Sequence, residues 1–222
     1  MKIGVLLPSR FTDPGDYLAD ARALDAAGVD SLWLPDDGFD PWLVLAGIAT
    51  VTGRCRLAVP VPARECESVD ALARRMATLD RLSRGRVLTA IAPAAAPAGI
   101  EAAIAGARRI TTGPVLLRTS ADGHAAAARL ADGLVADGEP AQCHAAFDQA
   151  RLRRERDRLS APFELWTRAP APVGRTPWRR LLATAAEIGA TGVIVPSDPR
   201  LLDLLRNADE EDDRSDLTLA QG

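Results

Sequence analysis

Lysine is nearly absent: of the 27 basic residues only Lys2 is a lysine, at the very start of the chain. Schiff-base and pyridoxal-phosphate chemistry would therefore rest on one poorly placed amine. The chain has 17 glycines, yet none stands in a G-x-G, so the dinucleotide fingerprint and the P-loop are both missing. The nucleophile elbow G-x-S-x-G is missing as well. Aromatic residues are scarce, with four Trp, four Phe and one Tyr, which argues against a base-stacking surface. Basic charge is not in excess either: 27 Lys plus Arg face 30 Asp plus Glu, a net charge of -3, so nothing points to a nucleic-acid partner.

Other absences concern compartment. Three cysteines, Cys55, Cys66 and Cys143, form no C-x-x-C, a pattern that suits a reducing compartment better than a disulfide framework or a zinc site. The apolar run after Met1-Lys2 is ended by Pro8, too soon for a secretory core. An uncharged apolar run such as 43–51 falls well below the roughly 20 residues needed to cross a bilayer. A cytoplasmic chain with neither nucleic-acid nor membrane partner is expected.

What is present is the composition of a folded protein: 47% hydrophobic and 26% charged residues in a chain of 222. Short runs rich in Val, Leu and Ile alternate with stretches of helical period, which argues for strand-helix-strand units and a parallel sheet. The expected strands are 3–8, 31–34, 56–61, 86–92, 114–118, 133–136, 163–167 and 191–195. Helix signals lie between them. Asp13-Pro14-Gly15-Asp16 offers an N-cap and a first-turn proline, and Gly28 offers a stop. Thr176-Pro177 and Asp198-Pro199 open two further helices. Eight units of about 28 residues each predict a compact (β/α)8 TIM barrel with short loops, occupying 1–207. The segment 208–222 is an acidic tail without apolar surface to bury, and is expected to be disordered.

Reactive groups of such a barrel sit after the strand C-termini. The positions to search are Ser9-Arg10, Asp36-Asp37, 60–64, 93–96, 118–123, Asp137, Arg168 and Ser197. Asp36 and Asp37 are either an acid/base or metal-binding pair or the cap of a turn. Arg118, Ser120 and Gly123 belong to a strand-to-helix turn that is either a phosphate seat or an ordinary capped turn. His124 and His144 lack metal-ligand spacing, so no metal is expected. The cysteines are expected to be buried and inert, and the tryptophans to be packing residues.

Several segments together carry a family resemblance. They are Ile3-Gly4-Val5-Leu6-Leu7-Pro8; Ala23-Leu24-Asp25-Ala26-Ala27-Gly28-Val29-Asp30-Ser31-Leu32-Trp33-Leu34-Pro35-Asp36; and Thr52-Gly53-Arg54-Cys55-Arg56-Leu57. The most specific is Leu72-Ala73-Arg74-Arg75-Met76-Ala77-Thr78-Leu79-Asp80-Arg81-Leu82-Ser83-Arg84-Gly85-Arg86-Val87. Gly113-Pro114-Val115-Leu116-Leu117 and Ala127-Ala128-Arg129-Leu130-Ala131-Asp132-Gly133 follow in the same order. The chain resembles the bacterial luciferase-like family of flavin- and F420-dependent monooxygenases and reductases, as a shortened, divergent member.

The resemblance implies a barrel binding FMN or coenzyme F420 at its C-terminal face, where the cofactor supplies redox chemistry and the protein supplies orientation and electrostatics. It places the ring near Ser9, Asp37 and Pro60 and the phosphate near Ser120 and Gly123; an oxidoreductase of this kind is expected to add Arg118 at the phosphate and Arg64 as an anion clamp. Asp37 stands where F420-using members commonly carry a proton-handling histidine. It also implies a homodimer and a small organic substrate.

Three departures are visible. Pro93-Ala94-Ala95-Ala96 replaces glycines after the fourth strand, Arg118-Thr119 replaces a doubled glycine after the fifth, and the intervening insertion is reduced to 97–112. They motivate the alternative of a degenerate barrel that has kept the fold but not the catalysis and serves as a flavin-binding, partner-subunit or scaffold protein. A sugar-phosphate isomerase or lyase on the same barrel is the third candidate.

Overall fold

The computed structural model describes residues 1–35, 37–62, 69–92, 98–119 and 124–207. Strands and helices alternate through them: β1 (Lys2–Leu6), α1 (Pro14–Ala26), β2 (Ser31–Trp33), α2 (Pro41–Val51), β3 (Arg56–Pro62), α3 (Val69–Ser83), β4 (Val87–Ala92) and α4 (Ala98–Ile110). The second half repeats the pattern with β5 (Val115–Thr119), α5 (His124–Leu130), β6 (Gly133–Ala136), α6 (Pro140–Arg156), β7 (Glu164–Arg168), α7 (Arg175–Glu187), β8 (Gly192–Pro196) and α8 (Leu201–Arg206). Each strand pairs in parallel with the next and β8 returns to β1, from Lys2 beside Gly192 to Leu6 beside Pro196. The sheet is closed, and the fold is the (β/α)8 barrel that the alternation of runs predicted. The expected tail at 208–222 and Cys66 lie outside the described residues.

Strand periodicity sorts the side chains into two cores. Val5, Leu32, Val59, Ile91, Leu117, Leu134, Leu165 and Val193 point outward into the layer under the helices. Alternate residues point inward. Trp33, Ala58, Leu88, Ala90, Leu116, Val135, Trp166 and Ile194 fill the barrel, with Leu6 against them. Two indoles supply much of that volume, meeting edge to face with ring centres 5.8 Å apart. Neighbouring strands make room for them: a Cβ on Gly192 would lie 2.5 Å from the Trp166 ring, and one on Gly4 2.5 Å from Trp33 Nε1. Each indole N–H is satisfied two residues back on its own strand, Trp33 by Ser31 Oγ at 2.8 Å and Trp166 by Glu164 Oε2 at 2.7 Å.

Below Trp166 the N-terminal end of the barrel is closed by charge. Glu164 of β7 accepts two hydrogen bonds from Arg56 of β3, at 3.0 and 3.1 Å, and one from Lys2 of β1 at 2.5 Å. Burial pushes the Glu164 carboxyl up, but the bonds from Arg56, Lys2 and Trp166 outweigh it and hold the group below the usual carboxylate range.

Helix starts follow capping chemistry. The Asp13 carboxylate accepts from the Gly15 and Asp16 amides ahead of α1, and Asp40 accepts from Trp42 and Leu43 ahead of α2. Proline takes the first turn in both. Two expected starts differ. Helix α7 begins at Arg175 after Gly174, so Pro177 sits inside its first turn, where the missing N–H costs nothing. Helix α8 begins only at Leu201, because the Asp198 carboxylate holds the Arg200 amide in a turn first.

Candidate functional site

At the C-terminal ends of the strands the inner layer leaves a hollow of about 170 Å³ over the barrel axis. Its apolar wall comes from Leu6, Trp33, Pro60 and Ala90 of the first four strands and from Val135 and Ile194. Arg118 and Arg168 are its charged residues, carried at the ends of β5 and β7. A second hollow, of about 370 Å³, adjoins it on the β6, β7 and β8 side and shares Leu6, Arg168 and Ile194.

The two arginines face one carboxylate. Asp137, just past β6, accepts from Arg118 Nη2 at 3.3 Å through one oxygen, and its other oxygen lies 3.7 Å from Arg168 Nε. Both separations exceed the roughly 2.7–2.9 Å of a strong charge-assisted hydrogen bond. Among the described residues two guanidiniums thus stand against one carboxylate. The Nε of Arg118 is buried and has no hydrogen-bond partner among the described residues. The Arg118 guanidinium lines the hollow with hydrogen-bonding capacity left over for an oxyanion.

The residues expected at the site fall into three groups. Pro60 and Arg118 line the axial hollow together. Ser9 and Asp37 lie on the adjoining β1–α1 and β2–α2 loops, which are fastened to each other: the Phe39 amide donates to the Ser9 carbonyl at 3.1 Å, and Phe11 stacks on Tyr17 and abuts Phe39. Asp37 is exposed and does not line the hollow, although Pro35, two residues before it, does. Arg64, Ser120 and Gly123 lie outside the described residues, as does Asp36.

Asp137 and Arg168 were visible in the sequence as positions after strands. Nothing local distinguishes them from other strand ends, and their meeting with Arg118 follows from the register of three neighbouring strands.

A larger hollow, of about 530 Å³, lies at the opposite end of the barrel beside α6. Its Arg154 is committed to the Ala128 and Ala161 carbonyls and lies 4.5 Å over the Phe163 ring, so it ties α6 to its neighbours. Cys55 is buried beside Asp25, and burial first, then that carboxylate, push its thiol up to about 12. A thiol so placed is inert, as expected.

The fold is thus a (β/α)8 barrel with two adjoining hollows at the C-terminal ends of its strands. Residues 1–109 match the family described as luciferase-like monooxygenase, so the first half of the barrel, through β4 and nearly all of α4, is luciferase-like in sequence. The resemblance read in 113–133 lies beyond the matched residues. No curated protein matches the chain.

Among solved structures, the chain superposes on the coenzyme F420-dependent tetrahydromethanopterin reductase of Methanopyrus kandleri with a TM-score of 0.72 at 11% identity, covering 92% of this chain and 96% of that one. The EDTA monooxygenase EmoA of Chelativorans sp. BNC1 gives a TM-score of 0.73 at 12% identity, covering 94% and 92%. The oxygenating constituent of 3,6-diketocamphane monooxygenase from Pseudomonas putida, a structure in complex with FMN, gives 0.59 at 12% identity, covering 78% and 68%. Likeness at this level of identity carries the fold.

Residues in the segments that carry the resemblance work at the other end of the barrel. Asp25 accepts from the amides of Gly53, Arg54 and Cys55 at 2.9, 3.0 and 2.7 Å. Arg86 donates to the Cys55, Thr52 and Ala49 carbonyls. These contacts hold the entries to β3 and β4, so the most recognisable segments specify the barrel rather than its chemistry. No helix among the described residues is long and apolar enough to cross a membrane.

Proposed function

We propose that this chain is a flavin-type oxidoreductase, using FMN or F420 and acting in the cytoplasm on a small organic substrate. One observation carries the proposal: the luciferase-like half of the barrel ends in an apolar wall, and across the hollow from it stands Arg118, whose Nε has no hydrogen-bond partner among the described residues. An apolar face and a nearby cation are what a ring system bearing a phosphate requires. The residues present fit such a group at its phosphate end. The axial hollow, at about 170 Å³, is smaller than the roughly 300 Å³ at which small-molecule sites begin. A tricyclic ring would therefore lie across the mouth, against Pro60 and the Ser9 loop, rather than descend along the axis.

In this reading the bound cofactor supplies hydride or oxygen chemistry. Arg118 holds the phosphate, Leu6, Trp33 and Pro60 exclude water beneath the ring, and Ser9 fixes the rim. Ser120 and Gly123 complete the phosphate seat, with Arg64 as a second anion clamp. Asp37, on the rim, is the proton-handling group. The small hollow supports the second reading, a barrel that holds a partner or a flavin without turnover.

Titration of the purified chain with FMN and with F420, followed by absorbance and by Trp33 fluorescence, separates the readings. Saturable binding of either, with turnover above the free cofactor, supports the enzyme; binding without turnover supports the second reading. Absence of binding to both removes the proposal. Arg118→Ala should weaken cofactor binding at least tenfold, whereas Arg200→Ala, whose guanidinium serves Asp198 on the surface, should change it less than twofold.

A further inference from the structure

The proposed oxidoreductase leaves its substrate unnamed, and the second hollow supplies a class. We propose that Arg168 holds the oxyanion of the substrate, so that the enzyme acts on a small organic acid bound on the β6, β7 and β8 side of the mouth. This inference rests on the oxidoreductase reading for the word substrate, and on the hollow itself for the anion.

Arg168 ends β7 and stands where the two hollows meet. Its sole ionic partner among the described residues is Asp137, at 3.7 Å and beyond hydrogen-bond reach. That carboxylate already accepts from Arg118. Two other arginines close on carboxylates in two bonds, Arg56 on Glu164 at 3.0 and 3.1 Å and Arg200 on Asp198 at 2.9 and 2.9 Å. Arg168 makes no such bond among the described residues, and it differs from the loosely paired surface arginines in lining both hollows, where its planar fork of donors can meet a carboxylate.

The surroundings select both charge and size. Among the described residues one carboxylate, Asp137, stands loosely between two guanidiniums, so an anion on Arg168 would complete a pairing that Asp137 leaves unfinished, strengthened by the low-dielectric walls. A neutral ligand would compensate nothing. The walls beside Arg168 and Asp137 are Leu6, Ile194, Pro196, Ala169 and Pro170, with no aromatic platform among the described residues. A hollow of about 370 Å³ lined in this way suits a short aliphatic body behind the anion. Arg118 and Arg168 then divide the work: the first, with its buried Nε over the axis, serves the cofactor phosphate, and the second serves the substrate.

The test uses the full chain with butyrate as probe and butyramide as its uncharged isostere, measured by calorimetry, alongside FMN and riboflavin. The expected result is saturable binding of butyrate and none of butyramide. Arg168→Gln should weaken butyrate at least tenfold and leave FMN within about twofold. Arg168→Lys, which keeps the charge and loses the fork, should fall between. Arg118→Gln should erase the preference for FMN over riboflavin and spare butyrate.

Equal binding of butyrate and butyramide overturns the inference. So does an Arg168→Gln variant, folded by its thermal midpoint, that binds butyrate as the parent does. So does one that loses FMN as strongly as butyrate, which would assign both arginines to one phosphate. A chain that binds butyrate through Arg168 but neither FMN nor F420 overturns the oxidoreductase reading and leaves the anion site standing.

Discussion

The two ends of this barrel carry the same charges in opposite condition. At the N-terminal end Lys2 and Arg56 close on Glu164 at 2.5 to 3.1 Å, the carboxylate side chain is 18% exposed, and an indole N–H takes a further bond. At the C-terminal end Arg118 and Arg168 stand 3.3 and 3.7 Å from Asp137, which is 44% exposed. Each cluster contains two cations and one anion. The first uses its hydrogen-bonding capacity on itself, and the second keeps much of it open to the mouth. The difference follows the general division of such barrels, in which the bottom serves stability and the top serves binding.

Substitutions should expose the asymmetry as numbers. Glu164→Ala strands Lys2 and Arg56 around an unpaired space; with partial solvent access the loss should be about 2–3 kcal/mol, read from urea unfolding. Gly192→Ala, in the layer just above, drives a methyl into the Trp166 ring and should cost about 1–3 kcal/mol by the same measurement. Acid should act on the bottom cluster as well. The Glu164 carboxyl is held below its unfolded value of about 4.3, so its contribution is complete above that pH and is lost as pH falls through the folded value. Thermal midpoints should therefore decline below about pH 4.3, and Glu164→Gln should flatten the decline. An unchanged slope in that variant would remove Glu164 as a source of acid sensitivity.

How far the sequence foretold this molecule depends on the range of the interaction. Eight strands were legible because each is a local apolar run between helix signals; 133–136 coincides with β6, and the others differ by a few residues at their ends. The tryptophans were legible as packing, but not as a facing pair, since Trp33 and Trp166 meet only once the barrel closes. Glu164 lies 162 residues from Lys2 and 108 from Arg56, so no window of sequence contains the bottom cluster. Of the candidate residues, Pro60 and Arg118 line the axial hollow, and both were legible as strand ends. Arg168 was only one strand end among several, because its importance comes from Asp137 and Arg118 on the two preceding strands. The recognisable motifs around Gly53 and Arg86 are local and structural, which is why the fold was easier to read than the chemistry.

The smallest expected change in stability tests the top cluster most sharply. Asp137→Asn removes a carboxylate that is exposed and at best loosely bonded, so unfolding should shift by less than about 0.5 kcal/mol. If Asp137 served the fold as Glu164 does, the loss would instead approach that of Glu164→Ala. Its removal should also tighten anions, because Arg118 and Arg168 would no longer share their charge with an internal competitor. Butyrate affinity measured by calorimetry should rise severalfold, and the gain should shrink with added salt as the mouth is screened. A weaker affinity in Asp137→Asn would mean that the carboxylate orients Arg168 for its ligand, turning the loose cluster into a positioning device.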